Sequence, residues 1–261
     1  MIATVRRSHV VIALLLSLAP AVGAAQALET ETARLLRAGW WKIGNAFEFQ
    51  TSSDGTELAI PVAIEYGLTD NLEFLVEPVP YTAIRPRVGR HARGVGDVEA
   101  TLTYRFLGES PSVPALALAA EVKLPTARDT LIGTRRTDYA GYLIASKRFG
   151  HVDTHFNVGY TIVGKPAGVA LDNVFNVALA GVYRPNTDLE LFGEVLGSTA
   201  SGAGEAQAGT GGAVVPEAAG NVLVGTLGAG KALGAALLYL AVSYDNTHAV
   251  LFRPGLTVRF R

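Results

Sequence analysis

Apolar and polar side chains alternate with a period of two over long stretches of this 261-residue chain. The alternation is clearest in residues 97–107, where the apolar positions are Val98, Ala100, Leu102, Tyr104 and Phe106. Residues 57–67 and 152–163 show the same pattern. Because successive side chains of a strand point to opposite faces, the pattern predicts β-strands with one apolar and one polar face.

Repeated along the chain, this pattern predicts about 12 strands of about ten residues each. The predicted strands are residues 39–50, 57–67, 72–81, 97–107, 115–125, 138–149, 152–163, 173–183, 189–196, 221–227, 235–244 and 250–261. Short connections alternate with mostly longer ones, and several strands end in Tyr or Phe. These features are typical of an all-β fold, a transmembrane antiparallel β-barrel, whereas the strands of soluble sandwiches are shorter. In lipid the sheet must have no free edge, so we expect the last strand to pair with the first.

The first residues predict export. Arg6 and Arg7 precede the apolar run Val10–Ala19, which is too short to span a bilayer as a helix. Ala25-Gln26-Ala27 fits a cleavage site, so residues 1–27 are predicted to be a signal peptide, with cleavage after Ala24 as an alternative. Residues 28–38 are predicted to be a short periplasmic segment, a candidate helix capped by Thr30 or Thr32. The barrel is then residues 39–261.

Composition supports a membrane barrel over a soluble enzyme. Charged residues make up 17% of the chain, against about 25% in a typical soluble domain. The chain has 22 Lys+Arg and 23 Asp+Glu, and removal of two signal-peptide arginines leaves 20 − 23 = −3. This balance excludes the basic surface of a nucleic-acid-binding protein. There is no Cys, which excludes disulfides and cysteine metal sites.

One stretch, residues 222–244, is long enough for a transmembrane helix and carries Lys231 as its single charge. Its four glycines favour a β-hairpin instead, with residues 228–231 predicted as the turn. Residues 225–231 also have the spacing of a phosphate-binding loop, but the Ser or Thr that holds Mg²⁺ is missing. We therefore expect no nucleotide site.

Three segments together resemble the MetA-pathway of phenol degradation family of outer-membrane barrel proteins. They are Tyr66-Gly67-Leu68-Thr69-Asp70-Asn71-Leu72-Glu73, Gly94-Val95-Gly96-Asp97-Val98, and Lys123-Leu124-Pro125-Thr126 followed by Gly133-Thr134 and Asp138-Tyr139. The resemblance extends over most of the chain. It implies a barrel that moves small hydrophobic or aromatic compounds across the outer membrane, and it implies no catalytic residues.

Charged residues on the polar strand faces are predicted to line the lumen. The candidates are Glu73, Glu77, Asp97, Glu99, Arg105, Glu121 and Lys123. They form either a polar conduit or a salt-bridged, closed interior, with Arg105 and Lys123 as partners for the acids. Pro61, Pro78 and Pro80 lack the N–H that a ladder needs, so they predict a weak place in the wall and a lateral exit for an apolar solute.

Basic residues concentrate in two predicted external loops. They are Arg85, Arg87, Arg90, His91, Arg93, Arg128, Arg135 and Arg136. They indicate either contact with phosphates of the outer-leaflet glycolipid or a vestibule that attracts anions. The expected partners are outer-membrane lipids and glycolipid, a small hydrophobic or aromatic solute, and the barrel-assembly machinery during biogenesis.

Two further patterns suggest chemistry only weakly. His151, Asp153 and His155 share a strand face, but same-face neighbours lie about 7 Å apart, too far for one strand to bind a metal with all three. Ser146 and His155 could serve a hydrolase, although no Gly-x-Ser-x-Gly motif occurs. We expect no cofactor, no metal site and no enzyme activity.

Three functions are left open by the sequence. The first is an outer-membrane channel for passive uptake of small hydrophobic or aromatic compounds. The second is a structural or envelope-interaction barrel with a closed, salt-bridged lumen. The third is an outer-membrane hydrolase. The expected location for all three is the bacterial outer membrane.

Overall fold

The computed structural model describes residues 27–201 and 221–261, and in this part the protein is built from β-strands. The bounds of the sixteen segments are β1 Trp41–Ala46, β2 Glu48–Thr51, β3 Gly55–Ile60, β4 Val62–Thr69, β5 Leu72–Pro78, β6 Tyr81–Pro86, β7 Ala92–Gly94, β8 Val98–Leu107, β9 Ala115–Leu124, β10 Asp138–Phe149, β11 Val152–Ile162, β12 Val174–Tyr183, β13 Leu189–Ser198, β14 Val222–Leu233, β15 Ala236–Asp245 and β16 Val250–Phe260. Within the described ranges, no helix is long and apolar enough to cross a membrane.

The segments form one closed antiparallel barrel of 12 strands. Segments β1 to β8 join two by two into four long strands, because the same pairing register continues across most of their short breaks. The remaining eight segments are single strands. Closure is made by β16, whose residue Phe260 pairs with Trp41 and whose residue Phe252 pairs with Phe49. The predicted fold and the predicted pairing of the last strand with the first are confirmed.

The outer wall is apolar and the inner face is polar, as the period-two pattern requires. Large apolar side chains with more than a third of their surface exposed recur on nearly every strand, among them Ile43, Leu102, Leu118, Phe156, Leu179, Leu227 and Leu240. Buried polar residues alternate with them, among them Lys42, Glu99, Thr101, Asn157 and Thr226. An apolar band of this kind is the surface that a barrel presents to lipid.

The two ends of the barrel differ in their connections. The start of β1 and the end of β16 lie at the same end of the barrel. The segments that join the strands at this end are residues 70–71, 108–114, 150–151, 184–188 and 234–235. The opposite end carries the longer segments 125–137 and 163–173. Following the loop asymmetry of outer-membrane barrels, we call these the periplasmic and the extracellular ends.

Three glycines on the inner face lie beneath aromatic rings of the neighbouring strand. Gly228 pairs with Phe192, Gly255 with Tyr239, and Gly159 with Tyr142. At each glycine an added Cβ would overlap the ring of its partner. The absence of a side chain therefore allows each ring to lie flat against the wall.

Two sequence predictions are corrected. The turn after β14 lies at Gly234, which has a φ of 65°, and not at residues 228–231, which belong to the strand. The glycines there serve close packing, since Gly230 faces the side chain of Leu237. The region predicted as a periplasmic helix contains no helix and lies inside the barrel. The predicted signal peptide up to residue 26, and most of the connection between the predicted strands 189–196 and 221–227, lie outside the described residues.

Candidate functional site

The barrel interior is occupied by the chain's own N-terminal segment. We call residues 27–38 the plug segment. Its middle is held by β13, where the Glu194 carboxylate accepts hydrogen bonds from the main-chain N–H of Thr30 at 2.6 Å and of Glu29 at 3.3 Å, and from the Thr30 hydroxyl. Its start is held by Arg253 of β16, which pairs with Glu29. Thr30, one of the two residues predicted to cap a helix, thus binds Glu194 of the barrel wall.

The end of the plug segment follows the lumen back to the periplasmic end. The Ala33 N–H donates to the Ser146 hydroxyl at 2.9 Å, and the Leu36 N–H donates to the Glu73 carboxylate at 2.6 Å. Arg34 forms ion pairs with Glu109, in a periplasmic turn, and with Asp153. Wall side chains thus bind mostly main-chain N–H groups of the segment, which runs from mid-barrel to the periplasmic mouth.

The lumen carries far more acidic than basic groups. In the described residues, ten carboxyl side chains are buried against three Lys or Arg side chains. Several of these form ion pairs along the wall, such as Lys42 with Glu65 at 2.5 Å and Arg253 with Glu48 at 2.8 Å. Asp153 is bound by Arg148 and Arg184 in addition to Arg34. The interior is therefore a fixed polar network with an excess of carboxyl groups.

The predicted lumen residues on the inner face are either buried or half-buried. Glu73, Glu99 and Lys123 are buried on the inner face, and Glu121 lies half-buried within 3.4 Å of the Tyr142 hydroxyl. Glu77 is half-buried on the same inner face, opposite Glu99.

The predicted pairing of Arg105 with the lumen acids is corrected. Arg105 binds the periplasmic turn instead, donating to the Asp70 carbonyl at 2.6 Å and to the Asn71 side chain at 2.8 Å. Lys123 pairs with Asp138 of the next strand. The alternation in sequence predicts which face of the sheet each residue occupies, but not its position along the barrel axis. That position determines which charged side chains meet.

The hydrogen-bond ladder is interrupted between the second and third long strands. The register pairs Ile60 with Tyr81 and, further along, Ile64 with Val76. Between these two pairs, residues 61–63 of the second long strand and residues 77–80 of the third are not paired with each other. The Val79 carbonyl accepts from Gly96 on the other side. Since alternate residues turn their main-chain groups to the same neighbour, Pro78 and Pro80 both face the interruption and neither has an N–H to donate.

Pro61 lies beside this interruption but acts on its other flank. Its carbonyl accepts a hydrogen bond from Ala46, so its missing N–H is on the side of the first strand. Pro78 and Pro80 are therefore the residues whose missing N–H groups would face the second long strand. The weak place in the wall stays a prediction, now confined to Pro78 and Pro80.

The extracellular mouth is partly covered by the loop of residues 125–137. Ala127, Ile132 and Leu131 pack against Ala92 and Ile84. Ile84 pairs with Glu57, a buried inner-face residue, so this contact lies on the inner side of the wall. The loop folds inward over the mouth as a result.

Two side chains tie this loop to the hairpin of the third and fourth strands. Asp97 accepts from the Ala127 N–H at 2.8 Å and so anchors the loop instead of lining an open pore. Arg90 binds both oxygens of Asp129, at 2.7 and 2.6 Å, and this hydrogen bonding lowers the pKa of Asp129 to about 2. Of the other predicted external basic residues, Arg87, Arg135 and Arg136 are exposed in loops. The loop prediction for Arg85 and Arg93 is corrected, because these exposed residues lie on β6 and β7, which pair as a β-hairpin.

Between the plug segment and the extracellular end there remains a small cavity of about 30 Å³. Its lining combines charged groups, hydroxyls and apolar side chains, including Glu194, Arg253, Thr226, Ser243, Leu196 and Leu251. On the periplasmic side of this cavity, the axial path is filled by the plug segment.

Ser146 and His155 do face each other on neighbouring strands, with the hydroxyl 2.9 Å from Nδ1. The serine, however, is also bonded to the plug segment, and Asp153 is engaged by arginines instead of orienting the histidine. In the described ranges no group of three or more His, Cys, Asp or Glu side chains is arranged to hold a metal ion. Ser146 therefore binds the plug segment directly, and His155 contacts Ser146.

Comparison with known proteins gives similarity in fold but not in sequence. No family model and no curated protein matches the chain, so the MetA-pathway resemblance stays a prediction. Among solved structures, the COG4313 outer membrane channel from Pseudomonas putida F1 is similar with a TM-score of 0.63 and 14% identity, over 89% of this chain and 100% of that one. The NanC porin has a TM-score of 0.57 and 10% identity, over 83% and 98% of the two chains. The KdgM porin in complex with disordered oligogalacturonate has a TM-score of 0.55 and 11% identity, over 84% and 99%.

These likenesses agree with the apolar outer wall and the closed sheet. The chain therefore has the fold of bacterial outer-membrane channels and porins.

Proposed function

We propose that the protein is an outer-membrane channel for passive uptake of small hydrophobic or aromatic compounds, which enter at the extracellular mouth and leave sideways through the wall. The observation that carries the proposal is the interrupted ladder at Pro78 and Pro80. It lies beside a lumen whose axial path is filled by the plug segment.

The charge of the lumen supports an uncharged solute over an anionic one. With ten buried carboxyl groups against three buried Lys or Arg side chains, the lumen has few cationic partners for a polyanion such as the oligogalacturonate in complex with the KdgM porin. An apolar solute gains nothing from this fixed polar network along the barrel axis. Leaving through the wall takes it directly into the hydrocarbon of the membrane.

The test separates the two paths by locking the plug segment. Because the Ala33 nitrogen lies 2.9 Å from the Ser146 hydroxyl, Ala33→Cys/Ser146→Cys places two thiols side by side in a chain that has no other cysteine. With the disulfide formed, we expect unchanged uptake of a labelled aromatic hydrocarbon by cells and low ion conductance in planar bilayers. Uptake that stops on oxidation and recovers on reduction would contradict lateral exit.

The second candidate is a structural barrel with a closed lumen. It is favoured by the plug segment and by the ion pairs that bridge neighbouring strands, such as Lys42 with Glu65. A structural barrel predicts that cells with and without the protein take up the hydrocarbon at the same rate. The uptake assay above therefore distinguishes the two candidates.

A further inference from the structure

A cluster of cationic side chains lies on the outer face of the barrel at its extracellular end. We call Arg85, Arg87, His91 and Arg93 the basic patch. Arg93 pairs with Ala83, and Arg85 pairs with Thr56 of the next strand. Ala83 and Arg85 occupy the strand face opposite to Thr82 and Ile84, whose partners Ala59 and Glu57 are buried in the interior. Arg85 and Arg93 therefore point away from the lumen, and Arg87 and His91 lie exposed in the turn between β6 and β7.

The charges of the basic patch are not neutralised within the protein. All four side chains are exposed, and in the described ranges the three arginines have no ion-pair partner. The neighbouring Arg90 differs, because it is bound by Asp129 of the inward-folded loop. Cross-strand and diagonal neighbours of a sheet lie about 5–8 Å apart, so three unpaired guanidinium groups share a small area.

An apolar surface continues directly below the basic patch, toward the middle of the barrel. It is formed by Phe49, Leu58, Ile60 and Tyr81 on three adjacent strands. Phe49 and Tyr81 are each 37% exposed. The outer wall therefore offers cations at the level of the extracellular headgroups and apolar side chains at the level of the acyl chains.

We propose that this surface binds the phosphorylated glycolipid of the outer leaflet, with its phosphates on the basic patch and its acyl chains on the apolar surface below. Guanidinium groups suit this ligand because they bind phosphate oxygens with two parallel hydrogen bonds. The site faces the membrane, and its lower edge at Ile60 and Tyr81 borders the interruption in the ladder.

The test measures binding of purified full-length protein in detergent to bisphosphorylated lipid A, by native mass spectrometry. The variant is Arg85→Gln/Arg93→Gln, whose side chains have no partners to lose, so we expect its melting temperature to match that of the wild type. The matched control is Arg128→Gln/Arg135→Gln, which removes the same charge at the same mouth but from the inward-folded loop.

We expect affinity for lipid A to fall roughly thirtyfold in the variant, at about fivefold per arginine near an anionic surface. The control should stay within twofold of the wild type. Dephosphorylated lipid A should bind the wild type about as weakly as lipid A binds the variant.

Three results would overturn the proposal. One is unchanged binding in Arg85→Gln/Arg93→Gln, and another is an equal loss in the control, which would indicate attraction by net charge alone. The third is displacement of lipid A by an equal concentration of inorganic phosphate, which would indicate a site for the free ion.

Discussion

Replacing Glu194 by Ala should release the plug segment. The carboxylate accepts bonds from the Thr30 N–H, the Thr30 hydroxyl and, at 3.3 Å, the Glu29 N–H. A hydrogen bond to a charged group contributes about 1.5–3 kcal/mol. Counting the two Thr30 bonds alone, the loss is about 3–6 kcal/mol, which shifts the equilibrium between bound and released segment by roughly 10²–10⁴.

The assay is single-channel conductance in planar bilayers, with a chain lacking residues 28–36 as the fully open reference. We expect the wild type to conduct least, the deletion most, and Glu194→Ala to switch between the two levels. The matched control is Glu190→Gln, on the same strand face, because Glu190 pairs with Arg184 and not with the plug segment.

The reasoning fails if the deletion conducts no more than the wild type, since the segment would then not fill the ion path. It also fails if Glu190→Gln opens the barrel as much as Glu194→Ala does. That result would indicate general loosening of the wall.

Further predictions concern the wall and the pH response. Leu102→Arg places a charge in the lipid-facing band and should lower barrel stability by about 2–4 kcal/mol, whereas inward-facing Thr103→Arg should cost less, as measured by denaturant titration in lipid. Gly228→Ala should destabilise the barrel by about 1–3 kcal/mol through overlap with the ring beside it, whereas Gly225→Ala, with open space around its Cβ, should be neutral in the same titration. Partial burial raises the pKa of Glu109, but the Arg148 N–H and the nearby charges of Arg34 and Lys147 outweigh this and leave that pKa below 4.5. Its tie to the plug segment is therefore complete above pH 4.5 and lost as pH falls through the lowered value. Acid should therefore raise conductance in the wild type, and Glu109→Gln should already conduct more than the wild type at neutral pH.

The period-two alternation was enough to predict the barrel, its 12 strands and the closing pair. These depend on which face each residue occupies, and sequence spacing reports that directly. The same alternation located Glu73, Glu99 and Lys123 on the inner face.

The contents of the lumen were not predictable in the same way. The residues at 28–38 looked like a capped helix because threonine and alanine have local preferences, whereas Glu194 and Ser146, more than a hundred residues away, determine their position. A weak signal was present in the excess of inward carboxylates, which need donors from some other part of the chain.

The turn after β14 was misplaced for a related reason. Glycines signal turns in sequence, but Gly228 is required in a strand because Phe192 packs over it. The contact is made across the sheet, so no local pattern records it.

Lateral exit through the interrupted ladder is the central claim, and uptake by a proline variant tests it most directly. Pro78→Val/Pro80→Val restores two main-chain donors that face the second strand. The control is Pro254→Val, at a wall proline whose carbonyl already accepts from Phe47 and whose neighbours are paired. With all three proteins inserted at equal amounts, we expect the double variant to take up a labelled aromatic hydrocarbon several times more slowly than the wild type and the control. Equal uptake by the double variant and the wild type would contradict the claim.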